Sequence, residues 1–285
     1  MPQSLTLSFT HPADFVAAIP KDGTSRRLVI TGHGRFRARL TWIDLDSLHV
    51  VAGEESLSRI AFVRVPDHLV LVVLQRAPYP APIWGDIVMR PGEILTFGPG
   101  ATAHTRTEGP CQWATILVPV RDLARYGRGM VGDTGGAPIR AQRWLPPRES
   151  GKLLLRLHAA VIRAVETGHP ELISREAAHG LEQQIIEALI ECLSPGPITA
   201  DTLTTRRDRE IMGRFEGLFE NQHHDNWRVP EIAAALGISQ WALRHTCQIH
   251  LGMSAFSYLR LRRVQIKHRA RRGGGRGVVG IDLHR

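Results

Sequence analysis

The tightest constraint on this chain lies between Trp227 and Arg263, where WRVPEIAAALGISQWALRHTCQIHLGMSAFSYLRLRR mixes capping, apolar and Gly residues at helical spacing. Pro230 suits the first helical position, where its missing N–H has no partner to lose, and Ile232, Ala233 and Leu236 form an apolar stripe. Gly237 stops that helix. Ser239 is a good cap for a second helix starting at Gln240, and Ile238 ahead of it can staple onto Leu243. On this second helix Leu243 and Cys247 would face the first, while Trp241, Arg244, His245 and Gln248 point outward and Gly252 ends the run. A third helix follows, capped by Ser254, with apolar faces from Phe256, Tyr258, Leu259, Leu261 and Val264. Two short helices joined by a Gly-containing turn are what lays one helix into a DNA major groove.

Charge points the same way. From Arg244 onward there are ten Lys or Arg residues against one acid, Asp282, while the whole chain carries a net +9. The residues before Arg244 are therefore close to neutral, and the positive charge sits on the helix-turn-helix, as nucleic-acid binding requires. Taken singly the signals are weaker: a Gly between short helices is common in all-α domains, Trp241 would also serve in a core, and a lone His245 is usually a surface histidine.

The pattern VPEIAAALGIS followed by QWALRHTCQIHLGMSAFSYLRLRRVQ resembles the first helix-turn-helix and connecting helix of the AraC/XylS family of bacterial transcription regulators. The resemblance implies that the second helix reads bases from Trp241, Arg244 and His245. Arg244 would bond a guanine edge or a phosphate, His245 a base edge or a phosphate, and Trp241 would touch a thymine methyl or sugar. It also implies phosphate contacts, which fix register without reading sequence, from Ser239, Gln248, Arg260, Arg262, Arg263 and Lys267.

One departure accompanies the match. Members of the family carry a second helix-turn-helix, and here the chain instead reads ARRGGGRGVVGIDLHR, whose five glycines and arginines suggest a flexible, phosphate-seeking tail. The expectation is a truncated or frame-shifted product with half a reader, its specific affinity falling toward the non-specific range of roughly 10⁻⁴–10⁻⁶ M.

The rest of the chain supplies context. With 285 residues, 43% hydrophobic and 22% charged, the chain is long enough for two domains of ordinary soluble composition. Cys111, Cys192 and Cys247 lie far apart, form no zinc pattern and fit a reducing cytoplasm. No apolar run approaches 18 residues and no signal peptide is legible, so no membrane partner and a bacterial cytoplasmic, nucleoid-associated location are expected.

From about Arg26 to Val118, runs such as RRLVIT, SLHVVA, SRIAFVRV, HLVLVVLQ, IWGDIVM, EILTF and QWATILV recur between turn residues and predict an antiparallel sandwich or barrel. The stretch MRPGEILTFGPGATAHTRTEG resembles part of a cupin-like jelly roll, the sensor fold of many AraC-type regulators. His104 suggests a metal, but no HxH pair exists and His33, His49 and His68 are scattered, so neither metal nor cofactor is expected. The barrel would hold a small-molecule effector or have lost that ability.

Pro146 and Pro147 mark a boundary. Residues 149–167 and 171–193 carry helical apolar stripes separated by a break at Gly168 and Pro170, an antiparallel pair that either packs on its own domain or, by the resemblance, makes the homodimer contact. SPGPITADTLT reads as a linker, after which Thr205 would cap a helix bearing Ile211, Phe215, Leu218 and Phe219.

The expected class is α+β and multidomain. A cupin-like β-barrel or jelly roll sensor spans 1–145, a helical hairpin 146–195, a linker 196–204, an all-α helix-turn-helix domain 205–270 and a tail 271–285. The function expected is an AraC-type, non-enzymatic regulator that binds double-stranded DNA, with RNA polymerase a partner if it activates. Two alternatives stand beside it: an interaction protein that dimerises with a full-length relative, and a cupin-type enzyme, which would leave the basic C-terminal region unexplained.

Overall fold

The computed structural model describes residues 3–19, 25–75, 82–131, 141–168, 175–199, 203–219 and 227–272. The chain is α+β, with two antiparallel sheets followed by helices. Strands β1 (Ser4–Phe9), β3 (Ala38–Leu45), β4 (Leu48–Glu55), β6 (Leu69–Leu74), β8 (Ile94–Phe97), β10 (Cys111–Pro119), β11 (Gln142–Trp144) and β12 (Pro197–Thr199) form the larger sheet in the order β1-β3-β4-β10-β6-β8-β11-β12. The smaller sheet runs β2-β5-β9-β7, from β2 (Ser25–Ile30), β5 (Arg59–Arg64), β9 (Thr102–Thr107) and β7 (Ile83–Trp84).

Strand β6 shows why the larger sheet is central. Its sequence LVLVVL is buried at every position, because side chains two apart point the same way and both faces are covered. Val70, Val72 and Leu74 pack toward α3 (Arg148–Glu166) and α4 (Arg175–Leu193), joining Leu154, Val161, Ile185 and Leu189. Leu69, Leu71 and Val73 pack the other way, with Val63, Trp84 and Phe97 of the smaller sheet and its neighbours. The apolar stripes of the helical pair are thus used on the chain's own sheet. Glu182 of α4 fixes the pair further, accepting hydrogen bonds from the Ser47 backbone N–H at 2.9 Å and its hydroxyl at 2.8 Å.

Several sequence expectations are corrected. IWGDIVM supplies only the two-residue β7, since Gly85 at φ 61° turns the chain immediately. Part of the expected linker is strand: Pro197 to Thr199 pairs with β11. Thr205 does not cap the next helix, which begins earlier as α5 (Leu203–Gly217). The 273–285 tail lies outside the described residues.

The C-terminal helices α5, α6 (Val229–Ala235), α7 (Gln240–Leu251) and α8 (Ala255–Arg272) share one core containing Met212, Phe215, Ile232, Leu243, Cys247 and Tyr258. Val29 of β2 and Ile60 of β5 belong to the same cluster, so these helices are seated on the outer face of the smaller sheet. The remaining helices are α1 (Pro12–Ala18), before β2, and α2 (Val120–Val131), after β10. No helix among the described residues is long and apolar enough to cross a membrane.

Candidate functional site

The turn between α6 and α7 is built as its residues dictate. Gly237 adopts φ 64°, a left-handed conformation that costs glycine little, and lets the chain reverse. The Ser239 hydroxyl accepts the Ala242 N–H at 3.1 Å, satisfying an otherwise unpaired donor at the start of α7. Pro230 falls on the second residue of α6 rather than the first, still within the turn whose N–H groups lack helical partners. Gly252, at φ 68°, ends α7, and the Ser254 hydroxyl caps α8 through the Ser257 N–H at 3.1 Å.

Helix α7 divides sharply into two faces. Leu243, Thr246, Cys247, His250 and Leu251 are buried, and the Thr246 hydroxyl donates to Asp208 of α5 at 3.0 Å. Trp241, Arg244, His245 and Gln248 are exposed. Trp241 is 72% exposed and its indole stacks on the His245 ring four residues on, with centroids 5.1 Å apart and planes 5° from parallel. The pair forms a flat aromatic ledge on the exposed face of α7 that also carries Arg244. Burial pushes the Cys247 thiol up to about 12, which leaves it a neutral core group.

Among the basic residues of α8, Arg260 is exposed and Arg263 half-buried. The Lys267 side chain lies outside the described residues. Arg262 departs from expectation. Its side chain is only 11% exposed and donates to Glu216 at 3.0 Å and to the Phe219 carbonyl at 3.1 Å, so its charge is committed inside the protein. Phe256 and Val264, expected to pack, stand 62% and 47% exposed. With Arg260 they recur at four-residue intervals and so share one outward face, opposite the buried Tyr258 and Leu259.

Glu216 is the residue the sequence reading missed. It lies on α5, fully buried, and gathers donors from both halves of the chain. One oxygen accepts from His104 Nε2 of β9 at 2.9 Å and from the Tyr258 hydroxyl of α8. The other accepts from Arg27 of β2 and Arg262 of α8, each at 3.0 Å. Sheet register explains the geometry: Arg27 pairs with Phe62 across β2 and β5, and Phe62 with His104 across β5 and β9, placing the three in one row on the outer face. The Arg27 guanidinium lies 5.4 Å over the Phe62 ring, whose centroid is 5.0 Å from that of His104. Burial raises the Glu216 pKa, but hydrogen bonding and charge from His104 and the guanidinium charges of Arg262 and Arg27 outweigh it and hold the group at about 2. Burial and the adjacent carboxylate push the Tyr258 phenol well above its ordinary value, so it remains a donor. The one trace of this in the sequence is that Glu216 stands four residues from Met212 and three from Phe219, inside the apolar arc of its own helix.

His250, near the end of α7, makes a second junction. Its ring presses on Gly85 beside β7, where a Cβ would lie 2.9 Å from Nδ1. Burial, reinforced by the positive field of His104, Arg209 and Arg106, pulls its pKa down to about 3. The folded state therefore keeps the ring neutral, whereas the unfolded ring titrates near 6.5. The stability this contributes is complete above that pH and declines as the pH falls toward 3. Thermal unfolding should show about 2 kcal/mol lost from this group on going to pH 5, and His250→Gln should remove that part of the acid slope.

Large side chains enter the space between the two sheets. Trp113 lies across Gly53 and donates to Glu55 at 2.8 Å, while Glu55 also accepts from Arg59 at 3.1 Å. The gap left beside them is about 30 Å³, the share of roughly one water. His104, the tempting metal ligand, points to the opposite face and is bonded to Glu216. Among the described residues no group of three or more His, Cys, Asp or Glu is placed to hold a metal ion.

The sequence matches no family model and no curated protein. Among solved structures, the chain is similar to the AraC-like transcriptional activator CuxR, with 15% identity, a TM-score of 0.49 and coverage of 93% of this chain and 95% of that one. It is also similar to two structures of ToxT from Vibrio cholerae, at 11% and 10% identity, with TM-scores of 0.34 and 0.30. Each match covers 81% of this chain and 86% of the other, and one of the two holds (E)-4-(8-methylnaphthalen-1-yl)but-3-enoic acid.

Proposed function

We propose that this chain is a transcription regulator of the AraC type, in which α7 enters a DNA major groove and the two-sheet part serves as a cupin-like sensor. The observation that carries the reading is the division of α7: every side chain expected to meet DNA is exposed on one face, and the other face is core. A flat Trp241–His245 ledge suits apolar contact with a thymine methyl or sugar, and the adjacent Arg244 suits a guanine edge. Ser239, Gln248, Arg260 and Arg263 are left for phosphates. Arg262 is withdrawn from that set, because its guanidinium neutralises Glu216. The reading assigns no catalytic step to the chain. It places the protein in the bacterial cytoplasm, with the outward side of the α3–α4 pair as the surface for a second copy.

Selection of binding sites from random duplexes, followed by measurement at several salt concentrations, tests the proposal. Arg244→Ala should lose about 1–3 kcal/mol of discrimination at one base position, whereas Arg260→Ala should weaken all duplexes alike and reduce the salt slope by about one. Equal effects of the two changes on every sequence would refute the assignment of α7 as the reading helix.

A further inference from the structure

A cleft lined by no residue of α7 lies in the junction between the smaller sheet and α5. Its volume is about 1020 Å³, and it is walled on one side by Arg64 and Thr102 and on the other by Arg206, Arg207, Glu210 and Arg214. Arg207, Glu210 and Arg214 recur at three- and four-residue intervals and so share one helix face, with Arg206 one turn before Glu210. Period-two alternation along β5 turns Arg64 to the same side as Phe62. The two walls meet where Gly213 approaches Thr102 so closely that a Cβ would lie 3.0 Å from the Thr102 hydroxyl.

Charge in the cleft is unbalanced. Arg206 is paired with Glu210 at 3.1 Å. Arg64, Arg207 and Arg214 are exposed, and among the described residues none of the three forms an ion pair. Three like charges lining one concavity repel one another and focus a positive potential, a cost that an anion with several charges removes. A guanidinium fork meets two oxygens of a phosphate or a carboxylate at once, and a ligand with several phosphates supplies both the negative charge and the number of oxygens that three guanidiniums need. The volume exceeds what a bare inorganic ion fills and falls in the range of small-molecule sites.

We infer that this cleft binds a small anion carrying two or more phosphate groups, of nucleotide size, bridged between Arg64 of the sheet and Arg207 and Arg214 of α5. Such a ligand would hold α5 against the sheet beside Glu216, which stands on the same helix two residues beyond Arg214, and so bear on how the C-terminal helices are seated. The inference deepens the effector-responsive part of the proposed function, but the binding itself rests on the cleft and not on DNA recognition.

The test is isothermal titration of inorganic tripolyphosphate and, separately, adenosine triphosphate into the full chain at about 150 mM salt, which screens diffuse attraction. Saturable binding at one site per chain is expected, weakened at least tenfold in Arg207→Ala/Arg214→Ala and unchanged in Arg260→Ala. Arg64→Ala should weaken it as well. These side chains are exposed, and an unaltered melting temperature would show that the variants fold. Absence of saturable binding by both probes would overturn the inference, as would equal loss in Arg260→Ala, which would mark charge attraction alone. If the cleft variants lose duplex affinity while no small anion binds, the arginines contact DNA backbone and the inference also fails. Failure of duplex selection with intact anion binding would remove the regulator reading and leave this site standing.

Discussion

Glu216→Ala is expected to lower the unfolding free energy by about 3–5 kcal/mol, because it leaves Arg27 and Arg262 half-sealed in the protein without their shared anion. The loss should be measurable by denaturant titration monitored by tryptophan fluorescence. Glu216→Gln keeps the shape and should cost less, since an amide oxygen still accepts hydrogen bonds. In the Glu216→Ala background, Arg262→Ala should cost much less than in the native protein, as one of the stranded charges goes with it. The pH dependence follows from the carboxyl's depressed pKa of about 2. A group held below its unfolded value contributes its full stability above about pH 4.5 and loses it as the pH falls toward 2, a total of about 3 kcal/mol. A flat acid profile identical to that of Glu216→Gln would show that the junction is not electrostatic.

The second large effect concerns the space between the sheets. Trp113→Ala is expected to cost about 3–5 kcal/mol, through the cavity it leaves and the hydrogen bond withdrawn from Glu55. Its counterpart is Gly53, where a Cβ would lie 2.1 Å from the Trp113 ring. Gly53→Ala should therefore cost about 1–3 kcal/mol alone by overpacking. In the Trp113→Ala background the same change should cost little, and the coupling energy of this cycle should approach the single-mutant cost of Gly53→Ala. Additive effects would mean that the ring does not rest on the backbone at Gly53.

Together these two sites divide the two-sheet part of the chain by strand alternation. Inward from the smaller sheet, Arg59 joins Glu55 and Trp113 in a nearly closed core; outward, Arg27, Phe62 and His104 form the row that receives α5. The outer face of the smaller sheet, rather than the space between the sheets, is where the two-sheet part and the C-terminal helices meet. His250 reports the same junction in acid, and the arginine cleft opens beside it.

The sequence alone determined the features whose partners lie within a few residues. Caps at Ser239 and Ser254, the left-handed turns at Gly237 and Gly252, and the outward placement of Trp241, Arg244, His245 and Gln248 all follow from three- and four-residue spacing. The doubly covered strand β6 was legible as an apolar run, though not what covered each face. Tertiary structure decided the rest, because the deciding partners are distant in the chain. Glu216 meets His104 across 112 residues and Arg27 across 189, and nothing near it in sequence distinguishes it from a solvated helical glutamate except its place in an apolar arc. Arg262 turned inward for the same reason: a buried carboxylate needs compensating charge, and only the folded arrangement shows which arginine supplies it.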